Sequence, residues 1–200
     1  MDELGGHPDP PPDLHQREIP LIDIDQAWFR IHRVDRDPIH FGREAQWRFD
    51  SPDRSYGVVY LAVDEHAAFI ETFGHVTGVN SVTVSSLSGR HLARIDPARP
   101  LRLVDLVSSG GLARLGADAR LCTGSYQVSR RWSRALHDHP SRPDGIRYPC
   151  RHDPARSAGA VFDHVTGHLS AHRLGSLLTI ENGTLLGKIL DHYGFGLIDV

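Results

Sequence analysis

The sequence predicts a single α+β domain. Its 200 residues fit one domain. Helix-like and strand-like segments mix without the regular βαβ beat of a doubly wound sheet. No glycine-rich phosphate fingerprint follows a strand, which argues against a Rossmann or P-loop site.

The elements follow in chain order. Residues 1–20, MDELGGHPDPPPDLHQREIP, are dominated by proline, glycine and charge, and predict a disordered or loosely attached tail. The folded domain is expected over 21–200. AWFRIHRV (27–34) mixes aromatic and β-branched residues and reads as a strand. GVVYLAV (57–63) is a short apolar run after a Ser-Pro-Asp turn and reads as a buried strand. Asp64 and Glu65 supply the acidic first turn of a helix that runs to about His75, with Gly74 near its end. LRLVDL (101–106) predicts a strand and SSGGLARLG (108–116) a short helix. GSYQVSRRWSRALHDH (124–139) predicts a longer helix stopped by Pro140. DGIRY (144–148) and AGAVFD (158–163) read as strands, TLLGKILDHYG (184–194) as a helix, and FGLIDV (195–200) as a closing strand.

Composition narrows the function. Hydrophobic residues make up 40% and charged residues 24%, values of an ordinary globular protein that needs no staple. The two cysteines, Cys122 and Cys150, are too few for a disulfide framework, and the N-terminus carries no signal-peptide pattern, so a reducing cytoplasm is expected. No apolar run approaches the length of a membrane span. A net charge of −3 argues against general nucleic-acid binding. Lys188 is the sole lysine among 22 basic residues, which leaves many planar guanidinium forks for phosphate or carboxylate.

RFDSPDRSYGVVYLAVDEHAAFIETFGH (48–75) places an arginine, a tyrosine and a glutamate in one strand–helix unit. Glu71 has Ala67, Ala68 and Gly74 as helix-face neighbours, so its carboxylate projects from a face with little bulk. A solvated helix glutamate is the plain alternative. Tyr60 shares a strand face with Val58, where it either fills core or lines a pocket. Arg48 lies between Trp47 and Phe49, and Arg30 between Phe29 and Ile31. Each either snorkels to solvent or turns inward.

Together these residues match a pattern. WFRIHR, WRFDSP, YGVVYLA followed by AFIETFGH, and DGIRYPCRHDP followed by AVFDH resemble, in order and spacing, the RES-domain family over residues 26–200. These are the toxins of Xre–RES toxin–antitoxin modules. The resemblance implies an ADP-ribosyltransferase-like fold that acts on NAD⁺ and cuts the nicotinamide–ribose bond, passing ADP-ribose to inorganic phosphate or to water. It places the family's catalytic positions on Arg48, Tyr60 and Glu71, and its substrate contacts on Arg30, Arg48, Tyr60 and Cys150. Cys150 departs from the family's serine, and a thiol is a poorer hydrogen-bond partner than a hydroxyl. That departure sustains the alternative of a catalytically weak module that binds a nucleotide or a partner protein. The resemblance further implies an Xre-type antitoxin, and a homodimer is common in the family.

No metal or resident cofactor is expected. His164, His168 and His172 recur every four residues, but Thr166, Gly167 and Ser170 disfavour helix there and no carboxylate completes a ligand set. A Cys150–His152 hydrolase is disfavoured because the two lie too close on one stretch of chain.

Overall fold

The computed structural model describes residues 7–199. Ten strands and six helices follow in the order β1 (Leu21–Ile24), β2 (Trp28–Arg33), β3 (Val58–Ala62), α1 (Glu65–Phe73), β4 (Ser81–Thr83), α2 (Val84–Ser88), β5 (Arg90–Pro97), β6 (Leu101–Asp105), α3 (Gly111–Leu115), α4 (Arg120–Thr123), α5 (Tyr126–His137), β7 (Gly145–Pro149), β8 (Ser157–Phe162), β9 (Leu169–Gly175), α6 (Ile180–Tyr193) and β10 (Gly196–Ile198). Eight strands form one mixed sheet in the order β1-β6-β7-β8-β3-β2-β5-β9, and β10 pairs with β4 apart from it. The α+β class holds.

The sheet is buried on both sides. On one side Val58, Ala62, Ile146, Ala160 and Phe162 pack with Phe69, Trp132, Leu136 and Ile189 of the helices. On the other, Trp28, Val59, Leu61, Ile95, Leu103, Val161 and Val165 form a second cluster. Alternation along β3 therefore sends Val58 and Tyr60 to the helical side and Val59 and Leu61 to the other, as the period of two demands. β7 and β8 approach closely because residue 145 is glycine: a Cβ there would meet the Ala160 carbonyl oxygen at 2.3 Å.

One seam is open. β3 pairs with β8 over five residues, and β2 pairs with β5 over six. Between β2 and β3 the ladder is limited to Phe29↔Ala62. Continuing that register would oppose Ile31 to Tyr60, but the strands diverge instead.

The N-terminal segment corrects the sequence reading. Residues 1–6 lie outside the described residues. Residues 7–20 are not loose but packed on the domain. The Trp132 indole N–H donates to the Pro8 carbonyl at 2.8 Å, and His7 meets the same ring edge-on at 5.5 Å. Arg131 pairs with Asp9 at 2.6 Å, and Leu14 and Ile19 are buried. A fully buried indole needs an acceptor, and a proline-rich segment has spare carbonyls and little entropy to lose.

Candidate active site

The cleft sits in the open seam. A hollow of about 400 Å³ is bounded by β2 from Phe29 to Arg33, by Tyr60, Leu61 and Ala62 of β3, by α1, and by the chain around Tyr148–His152. Arg30, Arg48, Tyr60 and Glu71 all line it. Six arginines (30, 33, 36, 48, 90 and 151) face a single carboxylate, Glu71, among the lining residues.

Glu71 is delivered by α1. Asp64 caps this helix by accepting the Ala67 N–H at 2.7 Å. Phe69 packs inward, whereas Ala68, Glu71 and Thr72, spaced as one helical face, line the cleft, joined by His75 just past the helix end. Of the small residues beside Glu71, Ala68 marks the cleft side, whereas Ala67 is packed in the core and Gly74 caps the helix away from the lining. Glu71 Oε1 accepts the Arg151 N–H at 2.9 Å. Burial raises its pKa above the usual 4.5, and the Arg151 N–H and the charges of Arg48 and Arg151 oppose that rise.

The turn that presents Arg151 is clamped to the start of the same helix. Arg156 Nε contacts Asp64 at 2.8 Å and Nη1 contacts Asp153 at 2.5 Å. Tyr193 of α6 donates to Asp153 at 2.9 Å. The carboxylate and the N–H that holds it are therefore tied together.

Arg48 lies on a loop ordered by Asp50. The Asp50 carboxylate, only 2% exposed, accepts the N–H groups of Gln46 and Trp47 at 2.8 and 2.7 Å and the Tyr60 hydroxyl at 2.9 Å. Tyr60 in turn accepts the Phe49 N–H at 3.0 Å. This network supports a left-handed backbone at Ala45, φ 54°. Arg48 Nη1 donates to the Gly124 carbonyl at 2.8 Å and to Ser129 Oγ at 3.2 Å, and its guanidinium sits 4.6 Å over the Tyr126 ring. Burial lowers the pKa of Arg48. Burial likewise pulls Arg30 down to about 10, so it remains a cation at neutral pH, and its Nη1 donates to the Pro38 and His40 carbonyls at 2.7 and 3.2 Å.

Burial, reinforced by Asp50, lifts the Tyr60 phenol well above 10. Its hydroxyl proton is committed to Asp50, so Tyr60 offers the cleft a ring and holds the Arg48 loop. Tyr148, whose pKa burial and then Glu71 also raise, adds a second phenol. Cys122, with its thiol pushed up to about 11 by burial, lines the cleft near Arg48. Reading the sequence missed Asp50, Tyr148, Cys122 and Tyr126. Asp50 was the accessible one, because an aspartate three residues from Trp47 in a turn is a ready cap for backbone N–H groups.

Cys150 departs from its expected place. It is 1% exposed and does not line the cleft, although Pro149 and Arg151 on either side do. Its N–H closes the turn to the Arg156 carbonyl at 3.0 Å, which leaves the side chain packed behind the wall. His164 and His172 pair with different aspartates, Asp144 and Asp96, on different elements. Among the described residues no group of three or more His, Cys, Asp or Glu could hold a metal ion. No helix there is long and apolar enough to cross a membrane.

Fold and site together define an α+β domain whose split sheet encloses a strongly cationic cleft around one half-buried carboxylate. The RES domain family model matches residues 27–178, and the chain belongs to the RES-domain family. It is 30% identical over 118 residues to a probable toxin, y4kH, of Sinorhizobium fredii, covering 58% of this chain and 90% of that protein. Its fold is also similar to a chain in the crystal structure of the M. tuberculosis MbcT–MbcA toxin–antitoxin complex, with a TM-score of 0.64 and 17% identity over 82% of this chain and 93% of that one.

Proposed function

We propose that this protein degrades NAD⁺ by cleaving the nicotinamide–ribose bond, and acts as the toxin of a toxin–antitoxin pair. The observation that carries this reading is the convergence of Arg30, Arg48, the Tyr60 ring and the half-buried Glu71 carboxylate in one cleft of a RES-family chain. The name of the y4kH relative and the complex that holds the structural neighbour support the toxin role and an antitoxin partner. An Xre-type antitoxin and a homodimer remain part of the proposal.

The chemistry suits the residues. NAD⁺ carries two phosphates, and guanidinium forks bind phosphate oxygens in pairs. The glycosidic bond breaks with its electron pair going to the pyridinium nitrogen, so nicotinamide leaves neutral. Positive charge develops on the ribose, and Glu71 stabilises it. An oxygen of phosphate, or of water, then bonds to the anomeric carbon; water gives up a proton to solvent. Arg33 is paired with Asp35, but the five other guanidinium groups at the cleft still exceed what a diphosphate needs, which supports phosphate as the acceptor.

The test is incubation of the purified chain with NAD⁺ and an assay for free nicotinamide. ADP-ribose-1″-phosphate formed only with added phosphate marks a phosphorylase; ADP-ribose marks a glycohydrolase. NAD⁺ left intact rejects the enzyme reading in favour of a non-catalytic binding module.

A further inference from the structure

Trp47 is the exposed tryptophan of the fold. Trp28 and Trp132 are 1% and 0% exposed, whereas Trp47 is 44% exposed at the cleft. Single exposed apolar side chains are common, but this indole lines a ligand cleft on an ordered backbone. Its backbone is held from both ends. Its N–H donates to Asp50 at 2.7 Å, and its carbonyl accepts from Arg130 Nε at 2.9 Å. The indole stacks on His75, with ring centres 5.8 Å apart and planes 15° from parallel. Two aromatic planes are thus preorganised at the cleft rim with the indole still uncovered.

Their position relative to Glu71 sets what they would hold. His75 follows the Gly74 cap just beyond α1 and is exposed, as is Trp47, so the pair lies further out than the half-buried Glu71. The reacting ribose belongs beside the Glu71 carboxylate, among Tyr60 and Tyr148. The far end of a dinucleotide, carried past the arginines, reaches the rim. A neutral purine stacks there without adding positive charge to a cationic cleft, which a pyridinium would do. We infer that Trp47, backed by His75, is the adenine-stacking subsite of the cleft. The inference rests on the dinucleotide reading above and deepens it.

Trp28 and Trp132 are buried and emit to the blue, so a change at the red edge of the intrinsic fluorescence, lost in Trp47→Phe, reports Trp47. Titration of the full chain with AMP or ADP-ribose quenches the exposed emission, and nicotinamide mononucleotide quenches it less. In Trp47→Phe the quench disappears. In Trp47→Ala the KM for NAD⁺ rises about tenfold, equivalent to a stacking contribution of about 1.4 kcal/mol, while kcat changes less than twofold. Stronger quenching by nicotinamide mononucleotide than by AMP, or an unchanged KM in Trp47→Ala, overturns the subsite even where nicotinamide is released. Quenching by AMP in a chain that releases no nicotinamide upholds the subsite and rejects the reaction.

Discussion

Replacing Glu71 by glutamine separates charge from shape. The amide keeps an acceptor for the Arg151 N–H, 2.9 Å away in the native chain, and fills the same volume beside Ala68. What disappears is the negative charge aimed at the cleft. A preorganised charge of this kind contributes about 3 kcal/mol to the barrier, so nicotinamide release falls about 10²-fold with KM little altered. Stability moves the other way. Burial raises the folded-state pKa of Glu71 above its ordinary 4.5, so the folded chain binds the proton more tightly than the unfolded chain. The native protein therefore loses stability as pH climbs out of the acid range through the raised pKa, and the glutamine variant escapes that loss. At neutral pH the variant melts at an equal or higher temperature than the native chain, and the advantage fades below pH 4.5. The assays are nicotinamide release and thermal melts across pH. Native-level turnover in a folded Glu71→Gln protein refutes the mechanism, and a lower melting point at neutral pH refutes the electrostatic account of the site.

The same pKa direction predicts that nicotinamide release by the native chain declines on acidification at a pH above 4.5, as Glu71 takes up its proton; a pH profile of kcat/KM, which reports the free enzyme, checks this. Tyr60→Phe orphans the Phe49 N–H and one Asp50 oxygen and costs about 2 kcal/mol, read as a urea midpoint shift, with Arg48-dependent turnover falling as its loop loosens. Arg156→Ala frees the turn that holds Glu71; kcat drops more than KM rises, and Arg156→Lys recovers part of the loss. Cys150→Ser changes turnover less than about threefold, because the side chain lies behind the cleft wall, and lowers stability by about 1 kcal/mol as a hydroxyl enters a dry site.

The legible parts of the fold were those with strong local signals. β2, β3, β6, β7 and β8 are apolar or β-branched runs, and α1 and α5 have capped ends. β9, with the sequence LSAHRLG, was missed because it is an edge strand with mostly exposed side chains. β5 was missed because arginine, histidine and aspartate interrupt its apolar residues, although Leu92, Ala93 and Ile95 are buried. α6 begins at Ile180, before the predicted Thr184, since Asn182 and Gly183 mask its first turn. At the site, Arg30, Arg48, Tyr60 and Glu71 were found through the family pattern; burial of Asp50 and the inward turn of Cys150 depend on tertiary contacts that no local stretch encodes.

The single rung between β2 and β3 has a mechanical consequence. The two banks of the sheet are fastened at one end and otherwise bridged by side chains, so a molecule lodged between them substitutes for the absent ladder. Occupancy and cohesion become one quantity: whatever fills the gap, small molecule or inserted peptide, also splices the two halves of the protein, and amide exchange along Ile31–Arg33 slows when it does.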